Sequence, residues 1–539
     1  MLRKAVEDGL QNCSVRFLES GQEFSAEQLR ELGTGALESL DDLGSDGAVG
    51  VILSNDALSV AVLLGALSSN RTLVSLPPPG RSDMNEEYLI SLRKSCEQLD
   101  VRSVVVNPAT AAVLRRDDSI PPVLVDHHEL TNSLGRRRSP LAEGKGFRLV
   151  QFTSGSTRAP RGVVLADSDV LANVEATLAV LEPTKGDGVC SWLPLSHDMG
   201  LLGMLLCPIV AASPSWAGLT SVTMMEPKTF LRSPKNWLRA ISEGGATITA
   251  SPDLGLRLSA RRASGTDLDL SRLRAVIVGG EIVRPQTLRD FSDAFSFSGL
   301  SGRSICPAYG FAEAGLAVTL SSPRIPWDTA FLDTTPDDDA GAPAGVDPGA
   351  RGHHHLEVTK CGPPLPGYEV VAGSDGQRQG VLRVRGPSVA RKYANGEPVS
   401  DQEGWLRTND LGTVVDGDLA VIGRCDDIMV VGGRNIVATE VEASLDTVRG
   451  VRPNGAVIAQ LSDGRWAVVV EIRSTTTPST AKAALSEVRR RVVGHCGAAP
   501  DLVLAVGPGG LPTTTSGKRQ RSALARALRE ESLEVLHTL

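Results

Sequence analysis

The feature that most constrains the fold of this chain is an alternation of short apolar runs with longer amphipathic segments, sustained from residue 47 to about residue 320. Runs of five or six residues rich in Val, Ile and Leu predict buried strands, and the segments between them predict helices. The predicted strands lie at 49–53, 72–76, 101–106, 148–152, 246–250 and 274–278. The predicted helices include 58–67, 234–242 and 285–295. This pattern is typical of α/β layers built around largely parallel sheets.

The chain changes character after residue 320. Residues 321–351 are rich in Pro, Asp, Gly and Ala, and we expect an exposed, irregular excursion there. The histidine run at 353–355 belongs to this excursion, and a solvated loop is favoured over a metal site because the run lacks other ligands. Beyond it, segments of hairpin character predict a β-rich region at 368–372, 381–384, 412–415 and 419–422, with a turn at 416–418.

The last part of the chain predicts a separate unit. Residues 425–539 mix predicted strands with predicted helices and have the size of a small α+β domain. The strands are expected at 456–460, 466–472 and 502–506, and the helices at 440–446, 480–493 and 519–529. Because 539 residues exceed what one hydrophobic core usually supports, we expect an N-terminal domain at 1–424 and a C-terminal domain at 425–539.

Charge and cysteine usage exclude several classes of protein. The 63 acidic residues outnumber the 55 basic ones, which argues against a dedicated nucleic-acid binder. The 8 cysteines are dispersed without a CxxC pair, which indicates reduced thiols rather than a disulfide framework or a zinc site. The apolar run at 201–212 is too short to span a bilayer, so a buried helix is favoured over a membrane anchor. The N-terminus has no secretory h-region, and we expect a cytoplasmic protein without a membrane span.

The sharpest local motif is TSGSTRAPRG at 153–162, directly after a predicted strand. Its hydroxyl side chains and glycines let backbone N–H groups approach an anion, and its arginines add positive charge, as polyphosphate binding requires. The spacing is not that of a Walker A loop, and a polar surface turn is the alternative.

A second motif, WLPLSHDMG at 192–200, places His197 beside Asp198 after a predicted strand. The pair fits either a cleft wall or a single hydrogen-bonded histidine. A serine triad is disfavoured because no GxSxG motif occurs.

Further motifs offer groups suited to a flat ring and to a metal ion. The glycines of VGGE at 278–281 end a predicted strand, at the edge where open α/β sheets bind ligands. PAYGFAE at 307–313 offers Tyr309 for stacking on a flat ring and Glu313 for oxygen ligation of Mg²⁺.

Two motifs lie nearer the C-terminus. The carboxylate of Asp410, in WLRTNDLG, can accept two hydroxyls of a ribose. Lys518 lies on a flexible glycine loop, PTTTSGKR, close to the end of the chain.

Together and in this order, the motifs resemble the adenylate-forming enzymes, which include acyl-CoA synthetases, firefly luciferases and the adenylation domains of peptide synthetases. The resemblance runs from about residue 20 to about residue 530. A narrower match to the fatty acyl-AMP ligase branch is carried by WLPLSHDMGL, LDLSRLRAVIVGGEIVRP, CGPPLPG and GPSVARKY. Members of that branch commonly pass an acyl-adenylate to an acyl carrier protein or polyketide synthase. They carry an extra segment in the large domain, for which 321–360 is the candidate here.

The resemblance implies an architecture and a set of ATP-binding residues. The N-terminal domain would hold layered α/β subdomains plus a small β-barrel-like subdomain, and the α+β C-terminal domain would be mobile and carry the catalytic lysine. Phosphates, adenine and ribose would contact Thr153, Ser154, Gly155, Ser156, Thr157, Arg161, Gly279, Gly280, Glu281, Tyr309, Gly310, Asp410 and Arg424.

The resemblance also implies chemical roles. Glu313 would bind Mg²⁺, and His197 would stand beside the reacting carboxylate. Lys518 would be the main catalytic residue, offsetting the negative charge that develops as the carboxylate attacks the α-phosphate. Asp426 would be the hinge about which the C-terminal domain rotates. The acyl pocket would include the 201–212 wall, Asp198, Met224 and Met225.

The chain departs from the family pattern at several positions. Arg161 replaces the usual Lys of the phosphate loop, which preserves the charge. Asn409 stands where Gly usually precedes the ribose-binding Asp, the histidine common after the loop is absent at 166–168, and 434–440 lacks the usual proline and aromatic residue.

The leading hypothesis is an ATP- and Mg²⁺-dependent acyl-AMP ligase that activates a fatty or similarly hydrophobic acid for a carrier-protein or synthase partner. An acyl-CoA synthetase that completes the thioester itself is the alternative, so the use of CoA is left open. A non-catalytic relative acting as a scaffold is a third possibility, and the joint retention of Lys518, Glu313, Asp410 and Arg424 argues against it.

Overall fold

The structure is a computed structural model of the 539-residue chain. It describes residues 1–42, 48–79, 86–114, 123–125, 147–153, 161–216, 218–263, 267–333, 355–373, 379–431, 434–461, 465–473, 476–513 and 519–539. Ser154, Gly155, Ser156, Thr157 and Lys518 lie outside the described residues.

The larger of two mixed sheets has a parallel centre. Its strand order is Ala317–Leu320, Ile305–Gly310, Ala275–Val278, Ile248–Ser251, Asp187–Ser191, Leu219–Met224, Ser14–Phe17 and Glu23–Ser25. The six strands between the two edge strands run parallel, and each edge strand pairs antiparallel with its neighbour. The central strands are buried on both faces, which explains their continuous apolar runs.

A second sheet repeats this construction. Its strand order is Lys392–Tyr393, Gly162–Ala166, Arg148–Phe152, Thr72–Ser75, Ala48–Val51, Val101–Val105 and Val123–Val125. The last five run parallel, and the first two pair antiparallel at one edge. This edge brings residues near 393 beside the end of the predicted phosphate loop.

The remaining sheets are smaller. An antiparallel sheet has the order Glu369–Ala372, Gly380–Arg385, Leu406–Val415 and Asp418–Arg424, and two strand pairs are Thr329–Asp333 with His355–Thr359 and Ile428–Val431 with Arg434–Val437. The C-terminal sheet has the order Val451–Gln460, Trp466–Ile472, Leu502–Val506 and Val535–Thr538.

Helices cover the sheets. The α-helices described are Leu2–Leu10, Ala26–Asp42, Ala57–Ser68, Glu86–Gln98, Pro108–Leu114, Asp167–Leu181, Cys207–Ala211, Pro227–Arg232, Lys235–Gly244, Asp253–Ala263, Pro285–Phe295, Ala438–Leu445, Pro478–Cys496 and Arg521–Arg529. A π-helix, Met199–Leu206, leads into Cys207–Ala211.

One helix pair shows how closely the layers pack. Asp56 caps helix Ala57–Ser68 by accepting a hydrogen bond from the Ser59 amide at 2.8 Å. A Cβ atom on Gly33 of the neighbouring helix would lie 1.7 Å from the Ala61 carbonyl oxygen. Glycine is therefore required where the two helices cross.

The apolar core is divided along the chain. One cluster of buried side chains extends from Leu2 to Leu406, and others beyond Met429 fill the C-terminal sheet. Within the described residues, no buried cluster combines side chains from before and after residue 425. The domain boundary at 424/425 stays a prediction, and this separation of cores supports it.

The predicted mixed α/β fold is confirmed, and most predicted elements lie within two residues of the observed bounds. The helix Pro285–Phe295 and the strands Trp466–Ile472 and Leu502–Val506 match their predictions. The apolar run at 201–212 is a buried helical segment. None of the helices in the described ranges has the length and apolar character that a bilayer crossing requires.

The prediction that 321–351 is irregular throughout is wrong at Thr329–Asp333. This segment is a strand in which Ala330 and Leu332 are buried while Phe331 is exposed. The alternation is only five residues long, and the Pro- and Asp-rich surroundings obscured it. His355 begins the partner strand rather than a loop, and 353–354 lie outside the described residues.

Candidate functional site

One large cleft collects the predicted site residues that the structure describes, except Met224 and Met225. Its volume is about 2550 Å³, and both the N-terminal sheets and residues beyond 425 line it. The lining includes Thr153, Arg161, His197, Asp198, Gly279, Gly280, Glu281, Tyr309, Gly310, Glu313, Asp410, Arg424 and Asp426. Thr153 and Asp426, which are 273 positions apart in the sequence, therefore meet in one place.

Sheet topology explains why these residues meet. Parallel strands Asp187–Ser191, Ile248–Ser251 and Ala275–Val278 end at the same edge of the larger sheet. The segments that follow them carry His197, the start of a helix at Asp253 and the glycines at 279 and 280. Ligands of open α/β sheets bind at this carboxyl edge.

A tyrosine and a carboxylate face each other at the predicted ribose position. The Tyr309 hydroxyl donates a hydrogen bond to Asp410 Oδ2 at 2.7 Å. Arg424 lies opposite Asp410 in the antiparallel strand pair, with its Nε 3.5 Å from Oδ1. Burial raises the pKa of Tyr309 well above its usual value, and the nearby Asp410 charge raises it further. Tyr309 is therefore a neutral donor that orients the carboxylate.

Glycine is needed beside Tyr309. A Cβ atom on Gly310 would lie 1.8 Å from the carbonyl oxygen of Leu316, the residue just before the facing antiparallel strand Ala317–Leu320. Gly280 has a φ of +76°, a conformation that side chains other than glycine rarely adopt. Glu281 accepts a hydrogen bond from the Leu254 amide at 3.2 Å. A Cβ atom built on Gly280 would have Met199 Cε as its nearest neighbour, 3.9 Å away, so there is space beside this backbone, where the adenine ring is expected.

Glu313 is held in the cleft by several partners. Its Oε1 accepts a hydrogen bond from the Tyr393 hydroxyl at 3.1 Å. Its carbonyl oxygen accepts one from the Ala390 amide at 2.8 Å. Burial raises the pKa of Glu313, while the Tyr393 hydrogen bond and the Arg161 charge oppose that shift.

A buried polar cluster supports the turn that carries Glu313. The Asn173 side-chain amide lies within hydrogen-bond distance of the carbonyl oxygens of Ala314 and Ala317, at 3.0 and 2.7 Å. It also contacts the hydroxyls of Tyr368 and Ser388, at 2.9 and 3.2 Å. Helix Asp167–Leu181 thus fixes the backbone next to Glu313.

The two ends of the predicted phosphate loop are joined. The Thr153 amide donates a hydrogen bond to the Arg161 carbonyl oxygen at 3.0 Å. The Arg161 guanidinium lies over the Tyr393 ring, 4.1 Å from its centre. The loop therefore starts and ends at the cleft with its cation held on an aromatic face.

The histidine motif forms another part of the wall. His197 Nδ1 lies 2.9 Å from Asp198 Oδ1, which also accepts a hydrogen bond from the Met199 amide at 2.7 Å. Asn55 is buried nearby and donates to the carbonyl oxygens of Leu193 and Met225 at 2.9 and 2.7 Å. The segment that precedes His197 is thereby fixed to the second sheet.

Ion pairs join the cleft wall to the part of the chain beyond residue 425. Arg284 contacts Asp253 at 3.0 Å and Glu440 at 3.5 Å. Arg257 contacts Asp446 at 2.5 Å. Nearer the predicted hinge, Asn409 Nδ2 donates to Asp426 Oδ2 at 2.7 Å.

The acyl-pocket prediction needs a correction. Met224 and Met225 are fully buried and do not line the cleft. Met224 ends the strand Leu219–Met224 in the core, and Met225 donates its amide to the Ser191 carbonyl oxygen. Met199 and Met204 of the π-helix line the cleft instead, and the 201–212 wall contributes through Gly203 and Met204.

Sequence reasoning missed Tyr393, Asn173 and Arg257. Tyr393 ends the GPSVARKY stretch, which carried the family resemblance but no assigned role. Asn173 lies in a helix whose other buried residues are mostly apolar, and a polar residue on such a face is the only signal the sequence offered.

Comparison with known proteins now identifies the class. A family model described as AMP-binding enzyme matches residues 26–394. The long-chain-fatty-acid–AMP ligase FadD26 of Mycobacterium tuberculosis is 30% identical over 515 residues, covering 88% of this chain and 86% of that protein. A putative acyl-CoA synthetase of Caulobacter vibrioides is 35% identical over 404 residues, covering 69% of this chain and 66% of that protein.

Solved structures share the fold. A structure from a study of fatty acyl-adenylate ligases from E. coli and L. pneumophila has a TM-score of 0.83 and 23% identity, with 98% of each chain covered. The chain belongs to the AMP-binding enzyme family, as its motifs predicted. Its assignment as an enzyme is confirmed.

Proposed function

We propose that this protein is an acyl-AMP ligase. It joins a fatty or similarly hydrophobic carboxylic acid to ATP, giving acyl-AMP and pyrophosphate, and passes the acyl group to a carrier protein or synthase. The observation that carries the proposal is the convergence of Tyr309, Asp410, Arg424, Glu313 and Arg161 on one cleft. The fatty-acid–AMP ligases among its relatives support the same chemistry.

The nucleotide would lie along the carboxyl edge of the larger sheet. Adenine would rest on the Gly279–Gly280 backbone under the Tyr309 ring, since the glycines leave that edge open. The Asp410 carboxylate would accept the ribose hydroxyls, with Arg424 beside it. The phosphates would then point toward Arg161 and the loop at 153–161.

The residues present fit a magnesium ion. Among the described residues, no cluster of three or more His, Cys, Asp or Glu side chains is arranged for a metal. Mg²⁺ is commonly held by one or two carboxylates together with substrate phosphates, which is the donor set that Glu313 and ATP would form. When bound, the ion would neutralise charge on the pyrophosphate as it leaves.

The reaction forms one bond and breaks another at the α-phosphorus. A carboxylate oxygen of the acid attacks, the bond from the α-phosphorus to the oxygen that bridges to the β-phosphate breaks, and pyrophosphate departs with the electron pair. No general base is needed because a carboxylic acid is ionised at pH 7. Chain residues supply positioning and positive charge: His197 beside the carboxylate, Arg161 at the phosphates, and Lys518, by family resemblance, between the two reacting groups.

The acyl chain would occupy the apolar part of the cleft. Apolar side chains from several elements line it, including Leu181, Trp192, Met204, Leu254, Leu258 and Leu316. Such a lining favours a hydrophobic acid over a small polar one.

Pyrophosphate release across a panel of carboxylic acids, with mass analysis of the acyl product, tests this proposal. We expect acyl-AMP from medium- or long-chain fatty acids with ATP and Mg²⁺, and little change when CoA is added. A phosphopantetheinylated carrier protein should consume that acyl-AMP. Rapid formation of acyl-CoA would instead establish the acyl-CoA synthetase, which the name of the Caulobacter relative favours. Failure to release pyrophosphate with any acid would contradict adenylation itself.

A further inference from the structure

Tyr393 lies between Arg161 and Glu313, two parts of the site that are far apart in the sequence. It ends the short strand Lys392–Tyr393, which pairs antiparallel with Gly162–Ala166 at the exit of the predicted phosphate loop. Its amide donates to the Glu397 carbonyl oxygen at 2.8 Å, and the Ala394 amide donates to the Gly162 carbonyl oxygen at 2.7 Å. The side chain is therefore attached to a fixed backbone, and only 5% of the residue is exposed.

The two ends of the Tyr393 side chain make different contacts. The ring lies under the Arg161 guanidinium, 4.1 Å from ring centre to Cζ. The hydroxyl donates a hydrogen bond to Glu313 Oε1 at 3.1 Å. One side chain thus contacts a cation and a carboxylate that are 152 residues apart in sequence.

We propose that Tyr393 is a positioning residue that holds Arg161 toward the nucleotide phosphates and Glu313 toward the magnesium ion. This inference rests on the proposed function, because the roles of Arg161 and Glu313 come from it. Tyr393 itself does not need to touch the substrate. It fixes the distance between the protein's phosphate-binding cation and its metal-binding carboxylate.

The ring and the hydroxyl of Tyr393 make different physical contributions. A guanidinium over an aromatic face is attracted by the ring quadrupole, and the contact restricts a long, flexible side chain. The hydroxyl occupies one lone pair of a Glu313 oxygen and leaves the carboxylate's other lone pairs available.

Two substitutions separate these contributions. Tyr393→Phe keeps the ring under Arg161 and removes only the hydrogen bond to Glu313. Tyr393→Leu removes both contacts. Tyr88→Phe is the matched control, because it deletes the hydroxyl of another, half-buried tyrosine whose hydrogen bond goes to the Pro77 carbonyl oxygen at 3.0 Å. Glu313→Gln serves as the reference for loss of the metal-binding carboxylate.

The readout is equilibrium binding of α,β-methylene-ATP by calorimetry, at a series of Mg²⁺ concentrations and in EDTA. For Tyr393→Phe we expect the Mg²⁺ concentration for half-maximal enhancement to rise about fivefold, as loss of one hydrogen bond implies, with binding in EDTA unchanged. For Tyr393→Leu we expect the same rise, and in addition a fall in EDTA binding of about threefold or more. Tyr88→Phe should match the wild type in both conditions.

The possible outcomes distinguish failure of the Tyr393 positioning role from failure of the proposed function. If Glu313→Gln loses the Mg²⁺ enhancement while Tyr393→Phe keeps the wild-type Mg²⁺ dependence, the positioning role is overturned and the proposed function stands. If the wild type binds no nucleotide, or Glu313→Gln retains full Mg²⁺ enhancement, the proposed function fails and this inference fails with it. Equal losses in Tyr393→Phe and Tyr88→Phe would indicate a general structural effect and also overturn the proposal.

Discussion

Replacement of Asp410 by Asn should weaken ATP use by about 10- to 150-fold. One oxygen of the Asp410 carboxylate already accepts a hydrogen bond from the Tyr309 hydroxyl at 2.7 Å, and the other oxygen lies 3.5 Å from Arg424 Nε. Asparagine has nearly the same shape but carries an NH₂ group in place of one oxygen and has no charge. A hydrogen bond to a charged group contributes about 1.5–3 kcal/mol, and each 1.4 kcal/mol changes an equilibrium constant tenfold.

The loss should appear in the KM for ATP. Initial rates of pyrophosphate release, measured at saturating acid over a range of ATP concentrations, separate KM from kcat. We expect kcat at saturating ATP to stay within about threefold of the wild type, because the ribose is remote from the reacting phosphorus. Asp290→Asn is the matched control, since Asp290 is exposed and its hydrogen-bond partner is Gln286 of the same helix.

An Asp410→Asn enzyme that folds and has a KM for ATP within twofold of the wild type would contradict a role of Asp410 in ATP binding. A large drop in kcat with an unchanged KM would also contradict it, because that pattern belongs to a group acting only in the transition state.

Three further predictions concern stability and reactivity. Asp187→Asn should lower the free energy of unfolding by about 3 kcal/mol at pH 7, because it breaks a buried ion pair with Arg274 at 2.6 Å. Burial raises the pKa of Asp187, but the hydrogen bonds from Arg274 outweigh this effect and leave the pKa below its usual value. The stabilisation is therefore present above about pH 4 and is lost as pH falls further. A difference between wild type and variant in urea unfolding that persists at the lowest pH would contradict this. Gly310→Ala should destabilise the fold by roughly 2 kcal/mol or more, since its Cβ would meet the Leu316 carbonyl oxygen, and an unchanged melting temperature would count against the strand geometry. Iodoacetamide at pH 7.5, followed by peptide mass analysis, should label the half-buried Cys425 first. At three fully buried positions, Cys190, Cys207 and Cys361, burial raises the pKa of the thiol to about 12, and the thiolate is the reactive form. Earlier labelling of any of these three would show that the core opens.

The sequence was most informative where burial and local pattern agree. Val276, Ile277 and Val278 read as a strand because β-branched residues buried on both faces need no alternation. The phosphate loop, the VGGE edge and Asp410 were identified because short motifs require particular residues at fixed spacing. The described members of this set lie in one cleft.

Contacts between distant residues could not be predicted in this way. Tyr393 meets Glu313 across 80 residues of chain, and only the pairing at a sheet edge brings them together. Met224 and Met225 show the opposite error, since apolar residues near a motif suit a pocket wall and a core equally well from sequence alone. In the structure both are fully buried members of the large apolar cluster.

The most direct test of adenylation follows oxygen atoms. A fatty acid labelled with ¹⁸O in both carboxylate positions is incubated with the enzyme, ATP and Mg²⁺, and hydroxylamine is added to capture the acyl group. Attack by the carboxylate on the α-phosphorus leaves one ¹⁸O on AMP once the acyl carbon is captured. Mass analysis should therefore find singly labelled AMP together with unlabelled pyrophosphate. Unlabelled AMP, or label in inorganic phosphate accompanied by ADP, would contradict the account.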